Sequence, residues 1–223
     1  MAHRRQGYRF DNDWKKEDLE SYLINIESGT TIPVNAEIKM DQVVLNLDTV
    51  KQYLIRARKI SLMDCYCRAM RKNCNAPVNT CIDLNEIAER NIADGTAREI
   101  TLEEALDVLL KTHEAGLVHM AYVKRDTPPQ PGDVNTICSC CSCCCSFLAT
   151  TLRFGLAPHV LKSYATFMTD SSKCTGCGIC ADRCQFGARE MVNGSLAVKP
   201  ELCFGCGLCA SKCPMGAITI VNK

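Results

Sequence analysis

Eighteen of the 223 residues are cysteine, and their positions constrain the chain more than any other feature. They fall into four groups: Cys65, Cys67, Cys74 and Cys81; six between Cys138 and Cys145; Cys174 to Cys184; and Cys203 to Cys213. The last two groups are copies of one pattern, C-x2-C-x2-C-x3-C, offset by 29 residues. Cys174-Thr-Gly-Cys177-Gly-Ile-Cys180-Ala-Asp-Arg-Cys184 lies over Cys203-Phe-Gly-Cys206-Gly-Leu-Cys209-Ala-Ser-Lys-Cys213. Nine disulfides would suit a short secreted chain. The N-terminus to Asp13, however, is polar and basic without an apolar core, and neighbouring Arg4 and Arg5 lack the hydrophobic stretch of an export signal. The expectation is a cytoplasmic protein whose thiols bind metal.

The C-terminal repeat resembles the two-cluster bacterial ferredoxin domain over about Met168 to Val221, with Pro214 after the second run as in that family. Thiolates two residues apart on a loop converge on three irons of one cube, and the fourth reaches across to the other cluster. The resemblance implies one 4Fe-4S cluster on Cys174, Cys177, Cys180 and Cys213, and a second on Cys203, Cys206, Cys209 and Cys184. Gly176, Gly178, Gly205 and Gly207 leave room for backbone amides to approach sulfur. Gln185 departs from the family, which usually has Pro there.

The upstream groups follow other rules. Cys65, Cys67, Cys74 and Cys81 are spaced C-x1-C-x6-C-x6-C, and Cys138, Cys140, Cys141, Cys143, Cys144 and Cys145 crowd into eight residues. Free thiols at that density oxidise and mispair, so most should be ligands. All-thiolate sets select iron–sulfur, zinc or copper(I), and beside a dicluster repeat iron is favoured over zinc. Ten thiols could supply one or two further clusters of four, and two clusters would leave two thiols to spare. On a helix, Cys141, Cys144 and Cys145 would share a face; which of the six ligate stays open on spacing alone.

The order of these parts is similar to a family of anaerobe dicluster iron–sulfur proteins, in which CxCR and ICxCCxCCC segments precede a ferredoxin domain. Here the resemblance rests on Asp64 to Arg68, Thr80-Cys81, Glu103 to Val118 and Ile137 to Cys145. It implies redox activity and, because members are commonly longer at the N-terminus, a subunit of a larger oxidoreductase complex acting with a redox partner protein.

The remaining sequence supports an α+β fold. A cysteine-rich α/β module with a helix pair and short strands is followed by a ferredoxin-like domain, divided as an arm over 1–59, a metal-binding module over 60–160 and the dicluster domain over 168–223. Trp14 to Ile26 reads as helical, with a break at Gly29 and Pro33. Val43 to Leu47 and Ile60 to Met63 read as strands, with Asp48 capping a helix to about Arg58. Leu84 to Ala93 reads as a helix, and Thr101 with Glu104 forms a capping box for Leu102 to Ala115. Its apolar face comprises Leu102, Ala105, Leu106, Leu109 and Leu110. Leu117 to Val123 reads as a strand, Pro128, Pro129 and Pro131 stiffen a loop, and Cys140 to Phe154 could form a helix.

Two helices followed by a strand hint at a winged-helix packing unit. Yet the second helix carries three Glu, one Asp and a single Lys, the wrong sign for phosphate, and the net charge is only +1. Nucleic-acid binding is not expected. Neither is direct membrane insertion, because no apolar run reaches the ~20 residues of a span. There is no P-loop, flavin or nicotinamide fingerprint. His3, His113, His119 and His159 are scattered in sequence with no convergent acid–base pair, and no catalytic residue is assigned.

Electron transfer is therefore the leading reading. The alternative is a redox enzyme with an unusual catalytic cluster in the Cys138–Cys145 segment. Arg68, Arg71, Lys72, Arg183 and Lys212 either tune clusters and dock a partner or are solvated surface charges.

Overall fold

The computed structural model describes residues 26–31, 38–39, 42–43, 53–124, 134–149, 152, 160–161 and 165–222. The expected helix over Trp14 to Ile26, the Asp48 cap, the proline loop and most of the Val43–Leu47 strand lie outside these residues. The upstream half is built on strands β1 (Ile26–Thr31), β4 (Ile60–Asp64), β5 (Asn79–Leu84), β6 (Arg98–Glu99), β7 (Val118–Lys124), β8 (Thr136–Cys140) and β9 (Val160–Leu161), with a small hairpin of β2 (Ile38–Lys39) and β3 (Gln42–Val43) between the first two. The seven strands form one sheet in the order β6-β4-β5-β8-β7-β1-β9. Every pairing is antiparallel except β1 with β9.

This sheet replaces the winged-helix hint. The helix–helix–strand order is present, but the strand is the fifth of seven rather than a wing. Gly29, expected to break the chain, sits inside β1 opposite Tyr122, so part of the expected arm completes the sheet. The helices are α1 (Tyr66–Arg71), α2 (Asn85–Ala93), α3 (Leu102–Glu114), α4 (Ser146–Ala149) and α5 (Ile179–Arg183). Residues 53–56 are also helical.

Period-two alternation divides the sheet into two chemically different faces. Ile82, Leu84, Ala121 and Ile137 lie on the face that packs against Ala105 and Leu109 of α3, together with Leu54, Ile60, Leu62 and Ile100. The alternate positions, Cys81 on β5 and Cys138 and Cys140 on β8, fall on the opposite face. There Val118, Met120 and Tyr122 of β7 stand beside them, with Met120 paired to Cys138 and Val118 to Cys140. The -Ile-Cys-Ser-Cys- pattern is thus a strand with its thiols on one side.

The helix expected over Cys140 to Phe154 is not formed. Residues 142–144 are a turn, and only Ser146–Ala149 is helical. The turn lets Cys144 and Cys145, which a helix would set on one face with Cys141, go to different neighbours.

In the C-terminal half, β10 (Ala165–Thr169) pairs antiparallel with β13 (Ile218–Asn222), and β11 (Arg189–Val192) forms a hairpin with β12 (Ser195–Val198). The hairpin turns through Asn193 and Gly194, both at positive φ, the conformation a two-residue turn of this kind requires.

The capping box forms as the sequence predicts: the Glu104 amide donates to Thr101 Oγ1 at 3.1 Å, and the Thr101 amide donates to the Glu104 carboxylate at 2.9 Å. Replacing Thr101 by Ala leaves the Glu104 amide without its cap and is expected to cost about 1 kcal/mol. A drop of roughly 2–4 °C in the thermal midpoint should follow, restored by Thr101→Ser; an unchanged midpoint would mean that α3 is held by packing alone.

Candidate metal centres

The repeat places its eight cysteines around two cavities. Cys174, Cys177, Cys180 and Cys213 line one of about 380 Å³, closed by Leu196, Pro214 and Ile218. Cys184, Cys203, Cys206 and Cys209 line a second of about 310 Å³, closed by Phe186, Phe204 and Arg189. Each run contributes three thiols to its own cavity and one to the other. Gly178 sits at φ +80°, and a Cβ there would meet the Met191 side chain at an ordinary contact of 3.4 Å. The loop therefore needs glycine for its left-handed backbone.

Residues 173–218 match the family described as a 4Fe-4S dicluster domain. The matched segment, about a fifth of the chain, supports a ferredoxin-like iron–sulfur domain there, and such a domain implies electron transfer. No curated protein matches the chain. Among the described residues, no helix is long and apolar enough to cross a membrane.

Arg189 is a part of the dicluster domain that the cysteine pattern did not point to. It is buried and donates to the Phe167 carbonyl at 2.9 Å and to Thr169 Oγ1. Burial pushes the Cys209 thiol up to about 12 and Cys180 upward, while the Arg189 guanidinium opposes both shifts by favouring thiolate. A single buried cation thus serves one thiol of each cavity.

The ten upstream thiols sort into two sets. In the first, Cys74, Cys141, Cys143 and Cys144 bring their sulfurs within 4.8 Å of one another. Cys74 lies 3.8 Å from both Cys141 and Cys144, and Cys143 lies 3.9 Å from Cys144. Four thiolates around one tetrahedral ion with metal–sulfur bonds of about 2.3 Å would be about 3.8 Å apart. The quartet's contacts fit that spacing. Asn73 ties it together by donating to the Cys143 carbonyl at 2.9 Å.

The second set is a cycle. Cys65 is in side-chain contact with Cys67 and Cys81, Cys67 with Cys145, Cys145 with Cys140 and Cys140 with Cys138. Cys138 returns to Cys81 at 3.9 Å. The helical expectation grouped Cys141 and Cys144 with Cys145; the turn instead sends Cys145 to the cycle and leaves the other two in the quartet.

Arg68, the Arg of the CxCR segment, lies between the sets and is 1% exposed. It donates to the Ser139 carbonyl at 2.9 Å and to Cys141 Sγ at 3.6 Å. Burial works against its charge, but Cys141, Cys65 and Cys140 together hold its pKa above the ordinary arginine value. Its Nε is buried without a hydrogen-bond partner. Among the thiols, contact with Cys143 holds Cys141 down while contact with Cys141 holds Cys143 up. Contact with Cys140 and Cys81 lowers Cys138 to about 6, against the upward push of its burial.

Two of the histidines, separate in sequence, meet in space. His113 and His119 stack with ring centroids 5.8 Å apart. His113 Nε2 meets Ser211 Oγ at 2.7 Å, and His119 Nδ1 meets Ser139 Oγ at 3.1 Å. Burial lowers them to about 2 and about 4, so both are neutral at physiological pH. The pair spans from the dicluster domain to β8.

Two cations considered as surface or docking charges are joints of the same kind. Arg183 donates to the His113 carbonyl at 2.6 Å and to the Leu208 carbonyl at 3.1 Å, and Lys212 pairs with Glu114 at 2.6 Å.

Gln185, the departure from the family pattern, completes the joint. Its Oε1 accepts from the Ser142 amide at 3.1 Å and from Ser142 Oγ at 2.8 Å, and its Nε2 donates to the Gly116 carbonyl at 2.9 Å. A proline could make none of these bonds, so the residue that weakens the family match fastens the dicluster domain to the upstream cysteine turn. Gln185→Pro strands the buried Ser142 amide and Gly116 carbonyl and is expected to destabilise the holo-protein by about 2–4 kcal/mol. Thermal unfolding and proteolysis between the two halves would read the effect; a variant as stable and as resistant as wild type would show that the joint does not depend on Gln185.

Proposed function

We propose that the chain is an iron–sulfur electron carrier, or the carrier subunit of a larger oxidoreductase, that passes low-potential electrons through several clusters to or from a partner protein. The observation that supports this most is the continuity of its thiol sites. Cys180 and Cys213 of the first cavity pack in one apolar cluster with Cys209 of the second. Cys184 and Cys206 of the second pack in another with Cys138, Cys140 and Cys145 of the upstream cycle. Cys140 is followed in sequence by Cys141 of the quartet. The four sites therefore form an unbroken series through the molecule.

In this reading Cys174, Cys177, Cys180 and Cys213 hold one 4Fe-4S cluster, and Cys184, Cys203, Cys206 and Cys209 the other. A cubane bound by four thiolates has no open iron and exchanges single electrons. The protein's own residues do the rest. The stacked Phe186 and Phe204, 4.4 Å between centroids, close the second cavity. Arg189 and Arg68 offset thiolate charge, and Gln185, Arg183 and the His113–Ser211 bond fix the dicluster domain against the upstream face. The upstream cycle supplies a further iron–sulfur site, and the quartet a four-thiolate site for an ion or cluster. The burial of Cys140, Cys141, Cys143, Cys144 and Cys145 favours electron exchange there over chemistry on a bound substrate.

The test is to purify the full chain under anoxia and to measure iron, labile sulfide and zinc on the same sample as a reductive EPR titration. Iron above the roughly eight atoms of two cubanes, with stepwise one-electron reduction, is the expected result. About eight irons would confine electron transfer to the dicluster domain. Turnover of a small substrate by the chain alone with a dye donor would replace the carrier reading with the enzymatic one.

A further inference from the structure

What a set of four thiolates can hold depends on how far apart its sulfurs stand. In the quartet of Cys74, Cys141, Cys143 and Cys144 every sulfur lies within 4.8 Å of every other. All six pairs are in side-chain contact: Cys74 with the other three, Cys141 with Cys143 and Cys144, and Cys143 with Cys144. Four sulfurs in a plane cannot meet this condition, because a square with sides of 3.8 Å has diagonals of about 5.4 Å. The quartet is therefore a tetrahedron. With edges of at most 4.8 Å, its corners lie no more than about 2.9 Å from the centre, room for one metal–sulfur bond of about 2.3 Å in each direction. The four thiols of each dicluster site, by contrast, line a cavity of about 380 or 310 Å³. Among the described residues no three members of the upstream cycle meet the 4.8 Å condition, so the quartet is a different kind of site.

Two segments build this tetrahedron. Lys72 ends α1 in the left-handed conformation, at φ 53°, and brings Cys74 to the turn after β8. Asn73 Nδ2 bridges the two segments by donating to the Cys143 carbonyl, and the Cys145 amide closes the turn by donating to the Cys141 carbonyl at 3.0 Å. Cys141, Cys143 and Cys144 are wholly buried with Leu117, and Ala76 and Ala115 pack beside them. Four thiolates in a dry, closed shell leave no open coordination position, which is the pattern of a structural rather than a catalytic ion. Arg68 donates to Cys141 Sγ and offsets part of the negative charge that four thiolates retain around a divalent ion. The same turn carries Ser142, which Gln185 holds from the dicluster domain. An ion at the centre would therefore tie the loop after α1 to the turn on which that domain rests.

From this geometry we infer that the quartet binds one divalent ion in tetrahedral all-thiolate coordination, zinc or a lone iron, rather than an iron–sulfur cluster, and that this ion locks the joint between the two halves. The inference rests on the proposed reading of the quartet as a four-thiolate site; it does not require iron–sulfur in the cycle.

Native mass spectrometry of the anoxic full chain, with zinc, iron and labile sulfide counted on the same sample, would test it on wild type, Cys143→Ala and, at the less buried ligand, Cys74→Ala. Retention of the dicluster EPR signals is the control for folding. The expected result is that either variant loses a single metal ion and no sulfide, and is cut faster by protease between the two halves. The element lost tells zinc from iron. Loss of about four irons together with sulfide would overturn the single ion in favour of a cluster. Loss of no metal would overturn the site altogether. Should neither variant fold, the wild-type chain decides. Zinc-edge X-ray absorption from four sulfurs at about 2.3 Å with no iron neighbour, or a lone-iron Mössbauer component, supports the ion, and the absence of both overturns it. Failure of the carrier reading would appear separately, as dicluster iron that is not reduced in the EPR titration.

Discussion

Ten thiols gathered at one face and one end of a sheet repel one another as soon as they ionise, and the upstream half of the molecule depends on relieving that repulsion. In an interior of low dielectric, neighbouring thiolates cannot share a site without a cation. The opposed shifts of Cys141 and Cys143, side by side in one quartet, express this conflict. A single buried arginine, Arg68, meets thiols of both sets and carries one positive charge. In the proposed reading bound metal supplies the remainder, and its loss would be felt as loss of structure as well as of redox activity.

The same thiols connect the two halves. The apolar cluster on the thiol face of the sheet includes Leu208 and Phe186 of the dicluster domain beside Tyr122 and Cys145 of the upstream module. Polar contacts then fix the orientation: Gln185 to Ser142 and Gly116, Arg183 to the end of α3, and His113 to Ser211. The acidic character of α3 also acquires a local role, because Glu114 holds Lys212 of the dicluster domain. A carrier assembled in this way presents its sites in fixed sequence rather than as two tethered modules.

Much of this was legible in the sequence wherever a short repeat or a local rule decides the outcome. The eight repeat cysteines, the Thr101–Glu104 capping box and the strand beginning at Ile60 follow from spacing, cap chemistry and β-branched runs. The sheet was not legible, because its order depends on pairings between distant segments: β4 and β5 are separated by the α1 loop, and β7 reaches β1 across most of the module. The cysteine run misled for a related reason. Cys141, Cys144 and Cys145 satisfy helical spacing, but the alternation of Ile137, Cys138, Ser139 and Cys140 makes that part a strand, and the turn after it divides the thiols. The stacking of His113 with His119 is equally non-local, joining the end of α3 to the second residue of β7. Gln185 was visible as a departure from the family; its partners Ser142 and Gly116 were not.

Anomalous diffraction at the iron edge from anoxically grown crystals of the full chain would locate iron without assuming any cluster type. The expected result is iron density in the two cavities of the dicluster domain and inside the cycle of Cys65, Cys67, Cys81, Cys138, Cys140 and Cys145. Iron confined to the two cavities, with the cycle closed by disulfides or holding zinc, would contradict it.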